Sequence, residues 1–297
     1  MRSILMTAAL TILAATAIGQ TPQAPAQPCA DTDYDCQIKL YSKAVKDKPK
    51  DAENHYNLGL AYQLKGQFKE AVAAYDTYLS TKLTGQANLA DGYNNRAIAN
   101  NHLGKNEASL ADYAKAIELN PASARFFTNR GNLYVDMKRF DDAIADYTKA
   151  ISLDEAYVAA YEGRGLAHGT KRDFDKAIAD LTKAIDLKPD DHVIYYNRGV
   201  YYSQKEDYQM AKIDYTKYID SNPADKMMLA DCYLNRAITN YVLNDDTGAV
   251  TDLTKAIETN PKLVNAYVAR GRIYRSQNKI ALAEADEKKV TELQGRP

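Results

Sequence analysis

The sequence predicts an all-α solenoid, a row of stacked two-helix modules. Three observations predict it. A short Arg block recurs at Asn95-Arg96-Ala97, Asn129-Arg130-Gly131, Gly163-Arg164-Gly165, Asn197-Arg198-Gly199, Asn235-Arg236-Ala237 and Ala269-Arg270-Gly271, mostly every 34 residues. Later in each unit comes Asp-Tyr/Leu-x-Lys-Ala-Ile or a close relative, as at 112–117, 146–151, 180–185 and 252–257. Within a unit, small and apolar residues fall at three- and four-residue spacing, as in Phe127, Gly131 and Tyr134, then Ala143, Tyr147 and Ala150, which is the signature of two amphipathic helices. An earlier unit, 52–85, keeps the pattern with Leu58-Gly59 in the Arg slot, which makes seven units. Such a period means neighbours that bury each other's faces rather than one globular core.

The elements follow in order. Residues 1–19 read as an export signal: one basic residue, an apolar run over 4–18, and small residues at Ala15, Ala17 and Gly19 for cleavage. The run is shorter than the ~20 residues a helix needs to cross a bilayer, so no stable membrane insertion is expected once it is removed. Retention as an anchor is the alternative. Residues 20–33 are expected to form a disordered leader, rich in Pro, Gln and Ala at its start. Cys29 and Cys36 can close a small disulfide loop, fitting an oxidising, periplasmic or secreted destination, and leave Cys232 as a small helix residue. Residues 34–51 supply a capping helix, and 52–297 the seven-repeat solenoid.

In unit three the helices are expected over about 124–137 and 141–153, with Pro121, Pro189, Pro223 and Pro261 ending second helices. The step widens to 38 residues twice, from Ala71 to Ser109 and from Ala211 to Ala249. The segments 89–100 and 229–240 match at an offset of 140, which indicates duplication of a four-unit block. The four extra residues are expected to lengthen a loop. Tyr78 and Tyr218, replacing a small Ala, are expected to fill space vacated at Asn100 and Asn240, since volume-conserving exchanges suit a core. At the far end, Glu287 stands where Tyr or Leu is usual, so the last unit serves as its own polar cap.

The column Tyr195, Arg198, Gly199, Tyr202, Ala211, Tyr215, Tyr218, Pro223 and its recurrences resemble the tetratricopeptide repeat (TPR) family over residues 34–297. The resemblance implies a right-handed superhelix whose first helices line a concave groove for a protein or an extended peptide. It places the Asn column, Asn57, Asn95, Asn129, Asn197 and Asn235, where a bound backbone is hydrogen-bonded, a task suited to an amide that donates and accepts. Gly163 and Ala269 interrupt it. Around it the groove is expected to be polar in front, with Asn94, Asn101, His102, Arg125 and Asn132, and apolar behind, with Tyr196, Leu234, Ile238 and Tyr241. The Lys/Arg set with which chaperone-binding members grip a terminal carboxylate is missing, the comparable slots holding Tyr56, Asn94, Thr128, Glu162, Tyr196 and Leu234.

Each Arg of the recurring block is expected to pair with the Asp of its own unit: Arg96 with Asp112, Arg130 with Asp146, Arg164 with Asp180, Arg198 with Asp214, Arg236 with Asp252 and Arg270 with Asp286. The first unit lacks both partners, with Leu58 and Ala74 in their place. A formal net charge of −1 and the absence of long basic runs argue against nucleic acid. No catalytic residue, metal set or cofactor is indicated: His55, His102, His168 and His192 fall in different columns, and no P-loop, GxSxG or HExxH pattern occurs. The expected function is a non-catalytic scaffold or adaptor for a protein or extended peptide. The alternative is a homo-oligomer joined through the apolar surface of units five to seven.

Overall fold

The computed structural model describes residues 29–81 and 85–295. The export-signal reading and the start of the leader lie outside them. The described residues form fifteen helices and no strand. A capping helix, α1 (Tyr34–Asp47), precedes seven hairpins. The first four are α2 (Ala52–Leu64) with α3 (Phe68–Ser80), α4 (Gln86–His102) with α5 (Asn106–Leu119), α6 (Ala124–Asp136) with α7 (Phe140–Leu153), and α8 (Val158–Thr170) with α9 (Phe174–Leu187). The last three are α10 (His192–Gln204) with α11 (Tyr208–Asp220), α12 (Lys226–Val242) with α13 (Asp246–Thr259), and α14 (Val264–Ser276) with α15 (Ile280–Leu293). The backbone of the first helix of each hairpin comes close to that of the next first helix, whereas the backbones of successive second helices stay apart. First helices therefore crowd along a concave side and second helices splay outward.

The core of a hairpin is a large residue on the second helix lying over a small one on the first. Tyr75, Tyr147 and Tyr215 are buried over Gly59, Gly131 and Gly199. A Cβ at Gly59 or Gly131 would come within 2.8 Å of the tyrosine ring, so the backbone approach excludes a side chain there. Every turn within a hairpin closes the same way. A residue with positive φ (Gly66, Gly104, Lys138, Arg172, Glu206, Asn244 or Asn278) lets the following N–H reach back to a carbonyl in the last turn, as Arg139 N does to Tyr134 O at 2.7 Å.

Across each hairpin runs a bidentate ion pair. Arg96, Arg130, Arg164, Arg198, Arg236 and Arg270 each donate from Nε and Nη2 to both carboxylate oxygens of Asp112, Asp146, Asp180, Asp214, Asp252 and Asp286, at 2.6–2.9 Å. The remaining nitrogen crosses to the preceding unit. Nη1 of Arg164, Arg198, Arg236 and Arg270 donates to Thr148, Thr182, Thr216 and Thr254 at 3.0–3.1 Å. Arg96 reaches Asp76 instead at 2.6 Å, so the first unit, which lacks the usual Asp, offers a carboxylate two residues later. Arg130 lacks this third bond because Ala114 occupies the Thr slot.

Two expectations are corrected. The four extra residues extend helices, not loops: α4 and α12 have 17 residues where the other first helices have 13. Four residues are close to one helical turn, so the added length of ~6 Å leaves every later side chain on nearly its original face. Tyr78 and Tyr218 pack against that added turn rather than at Asn100 and Asn240. The Tyr78 hydroxyl donates to Asn88 O at 2.7 Å, and its ring occupies the place a Cβ on Gly92 would take. At the equivalent place Cys232 is fully buried in the cluster with Tyr218. Asn100 and Asn240 instead donate to Asp112 and Asp252, at 3.2 and 2.9 Å.

The ends are closed differently. Cys29 and Cys36 form a disulfide that ties the leader to α1, beside the Asp33 cap on Cys36 N at 3.0 Å. At the other end Arg275 and Glu287 make an exposed bidentate pair.

Asp214→Ala strands Arg198 and is expected to cost about 3–5 kcal/mol. Repeat arrays open locally, so the readout is hydrogen exchange, with protection lost first in α10 and α11. Ala114→Thr supplies the bond Arg130 lacks and is expected to stabilise by about 0.5–1 kcal/mol, measured by urea denaturation.

Candidate functional site

The concave face is built from one stripe of each first helix, and the duplicated blocks give it two related ends. At the front, Tyr56 on α2 stands edge-on to Tyr75 and beside Tyr78, with ring centroids at 6.0 and 5.2 Å. At the back, Tyr196 on α10 repeats this with Tyr215 and Tyr218, at 6.1 and 5.5 Å. In both copies an asparagine of the next inner helix donates to the tyrosine hydroxyl: Asn95 to Tyr56 at 2.9 Å and Asn235 to Tyr196 at 3.3 Å. Burial raises the pKa of Tyr56 and of Tyr196, so these phenols stay protonated as hydrogen-bond partners.

The expected peptide-facing asparagines divide into two groups. Asn129 donates to Asn94 at 2.8 Å, Asn94 to Asn95 at 3.0 Å, and Asn95 to Tyr56. This relay locks three inner helices together. Asn94 has no exposed surface and Asn95 is 6% exposed, so neither offers a free amide, contrary to the sequence expectation. Asn57 and Asn197 are half-buried, and their side-chain amides make no hydrogen bond among the described residues. Other front residues are also engaged. Asn101 donates to Asp136 at 2.9 Å, Asn132 accepts from the Tyr147 hydroxyl at 2.7 Å, Arg125 pairs with Asp91, and His102 stacks on Phe68 with centroids at 4.1 Å. A cleft of about 720 Å³ opens at this end between Lys50, Glu53, Tyr56, Asn57, Asn88 and Asp91.

The middle has fewer internal bonds. The Thr128 hydroxyl is buried without a partner. Glu162 fills the same slot one unit on, half-buried, with neither hydrogen bond nor ion pair among the described residues. Desolvation, reinforced by Asp191 and opposed by Lys188, pushes its pKa up from 4.5 to about 7. Lys188 is itself bonded to Asp191 at 2.7 Å. Gly163, which interrupts the Asn column, and Gly169 further along α8 are packing positions. A Cβ on Gly163 would meet the Tyr147 ring at 2.6 Å, and one on Gly169 the Tyr201 ring at 2.1 Å.

The back is apolar but not uniformly open. Tyr196 and Leu234 are buried, as packing residues rather than contact surface. Ile238, Tyr241 and Val242 on α12 are 47, 48 and 44% exposed, and Val193 on α10 is 42% exposed. The Cys232 thiol is buried, which pushes its pKa far up and leaves it unreactive. The histidines are scattered: His55 bonds Pro49 O at 2.9 Å, His168 lies 3.5 Å from Asp173, and His192 stacks on Tyr195. No group of three His, Cys, Asp or Glu able to hold a metal occurs among the described residues, and none of the described helices is long and apolar enough to cross a membrane.

A family model described as TPR repeat matches residues 34–66, 101–138 and 131–171. A second, described as tetratricopeptide repeat, matches 52–82, 158–191 and 192–225. Together they take in more than half of the chain. The last two hairpins lie outside these stretches but carry the same Arg–Asp pairs. No curated protein matches the chain in sequence. Several solved structures share the fold at low identity. The pilF protein of Pseudomonas aeruginosa aligns with a TM-score of 0.62 at 18% identity, over 74% of this chain and 97% of that one. The C-terminal part of a TPR repeat-containing protein from Cytophaga hutchinsonii aligns with 0.63 at 17%, over 80% and 95%. A tetratricopeptide repeat protein from Parabacteroides merdae aligns with 0.56 at 21%, over 81% and 92%.

Glu162 gives a pH test of the groove floor. Its folded-state pKa lies above the unfolded value, so the group favours the folded state fully below about pH 4.5. That contribution is lost as pH rises to about 7 and stays lost above it. Glu162→Gln is therefore expected to raise the melting temperature by about 2–4 °C above pH 7, with the gain vanishing toward pH 4, followed by circular dichroism.

Proposed function

Since the chain belongs to the tetratricopeptide repeat family, we propose that it is a non-catalytic scaffold that holds an extended segment of another protein along its concave face, in an exported compartment. The observation that carries the reading is the pair of half-buried, unbonded amides, Asn57 and Asn197, at equivalent slots of the two duplicated blocks. Each stands next to a tyrosine cluster whose first-helix tyrosine, Tyr56 or Tyr196, already accepts a hydrogen bond from an asparagine of the next inner helix. A buried polar network holds the floor rigid, and the amides left over can meet a backbone N–H and C=O without any rearrangement. The disulfide between Cys29 and Cys36, together with the apolar start of the chain, supports export. The exposed run of Ile238, Tyr241 and Val242 supports a second reading, self-association through the back of the groove.

The test is capture of partners from the exported fraction by the chain and by an Asn57→Ala/Asn197→Ala variant. Retention of the partner is expected to fall about 10-fold or more in the variant, with the bait sedimenting as a monomer. A partner held equally by both proteins rejects the groove reading, and a bait recovered only as a stable dimer favours self-association.

A further inference from the structure

The duplication makes the groove its own control for charge. Residues 52–119 and 192–259 are copies at an offset of 140, so Asp91 on α4 and Asp231 on α12 hold the same slot. In the front copy Arg125, on the next inner helix, pairs with Asp91. In the back copy the place of Arg125 is taken by Asn265. Asp231 is half-buried and makes no ion pair or hydrogen bond among the described residues. The charge that acts on it is a second carboxylate, Asp225, and burial and that carboxylate both raise its pKa. Two inner helices earlier Glu162 is also half-buried and without an ion pair among the described residues, and the cation that acts on it, Lys188, is held by Asp191. Between the two carboxylates α10 presents exposed Val193 and half-buried Val200, and α12 adds exposed Ile238.

We propose that the groove between α8 and α12 takes a partner segment in which lysine or arginine side chains flank apolar ones, the cations meeting Glu162 and Asp231 and the apolar side chains meeting Val193, Val200 and Ile238. The proposal rests on the groove reading above and narrows it to a basic, apolar ligand. A half-buried carboxylate without a partner has lost part of its hydration with nothing in return, and an incoming cation restores it at little further desolvation of the protein. The front half makes no such demand, because Arg125 and Asn101 already satisfy Asp91 and Asp136.

The experiment presents the full chain to an array of random twelve-residue peptides with blocked termini, beside a Glu162→Gln/Asp231→Asn variant and an Asp91→Asn control. Circular dichroism verifies the fold of each. Retained peptides are expected to be enriched in Lys or Arg next to Leu, Ile, Val or Phe. The affinity of the best of them is expected to fall at least tenfold in the double variant and less than threefold in the control, and to weaken with salt. Retained peptides without basic enrichment, or an affinity unchanged in the double variant, overturn this inference and leave the groove reading intact. Retention of no peptide overturns both.

Discussion

The structure depends on the clasp made by the recurring arginines, three-way in five of the six. Two nitrogens of each arginine fix the angle between the helices of its own hairpin through an aspartate. The third fixes the angle to the preceding hairpin through a threonine, or through Asp76 for Arg96. A solenoid has no central core, so its geometry is the accumulated result of such local joints. A planar guanidinium suits the task because its donors lie in a fixed fork. The pairs are half-buried on the arginine side and nearly fully buried on the aspartate side. Such a pair adds little net stability over an apolar core, but one left incomplete is expensive. It therefore selects one register of stacking among the many that small apolar faces would tolerate.

The added turn in α4 and α12 is a second constraint on that register. A tyrosine replaces the small residue that would otherwise close the preceding hairpin, and it needs a surface to lie on. The extra helical turn provides that surface, with Gly92 or Cys232 small enough to receive the ring. The change is thus a matched set of one large residue, one small residue and one turn of helix. Its recurrence 140 residues later explains why the tyrosine clusters around Tyr56 and Tyr196 are so alike.

Much of this was legible in the sequence, for a physical reason. A residue pair that recurs at constant phase and is lost together, as at Leu58 and Ala74, behaves as a contact, and the Arg–Asp pairing followed from that alone. The threonine of the clasp reads in the sequence as a variable position, although it is Thr in four of the six Arg-containing units, because its partner lies in the next unit rather than its own. The fate of the extra residues is not legible in the sequence, because a helix of 17 residues carries the same periodicity as one of 13. The groove was the least legible part. Sequence places Asn94, Asn95 and Asn129 on one face, but whether an amide is offered to a ligand or consumed by a neighbour depends on which groups lie within 3 Å of it.

The same distinction bears on what the inner surface can recognise. A groove lined with polar residues is not for that reason a polar binding site, since bonds made inside the protein must be broken before they can be made to a ligand. By that measure the front of the groove is chemically quieter than its composition suggests, apart from Asn57. The middle and back are chemically unfinished. Glu162 and Asp231 are half-buried and make no ion pair among the described residues, in a fold that elsewhere pairs its buried acids with arginine. The block copy sharpens the point. One exchange, Arg in the third unit for Asn in the seventh, separates a neutralised carboxylate from an orphaned one within an otherwise repeated frame. Duplication supplied the rigid floor twice, and the difference in what the two floors can bind lies in the few side chains by which the copies differ.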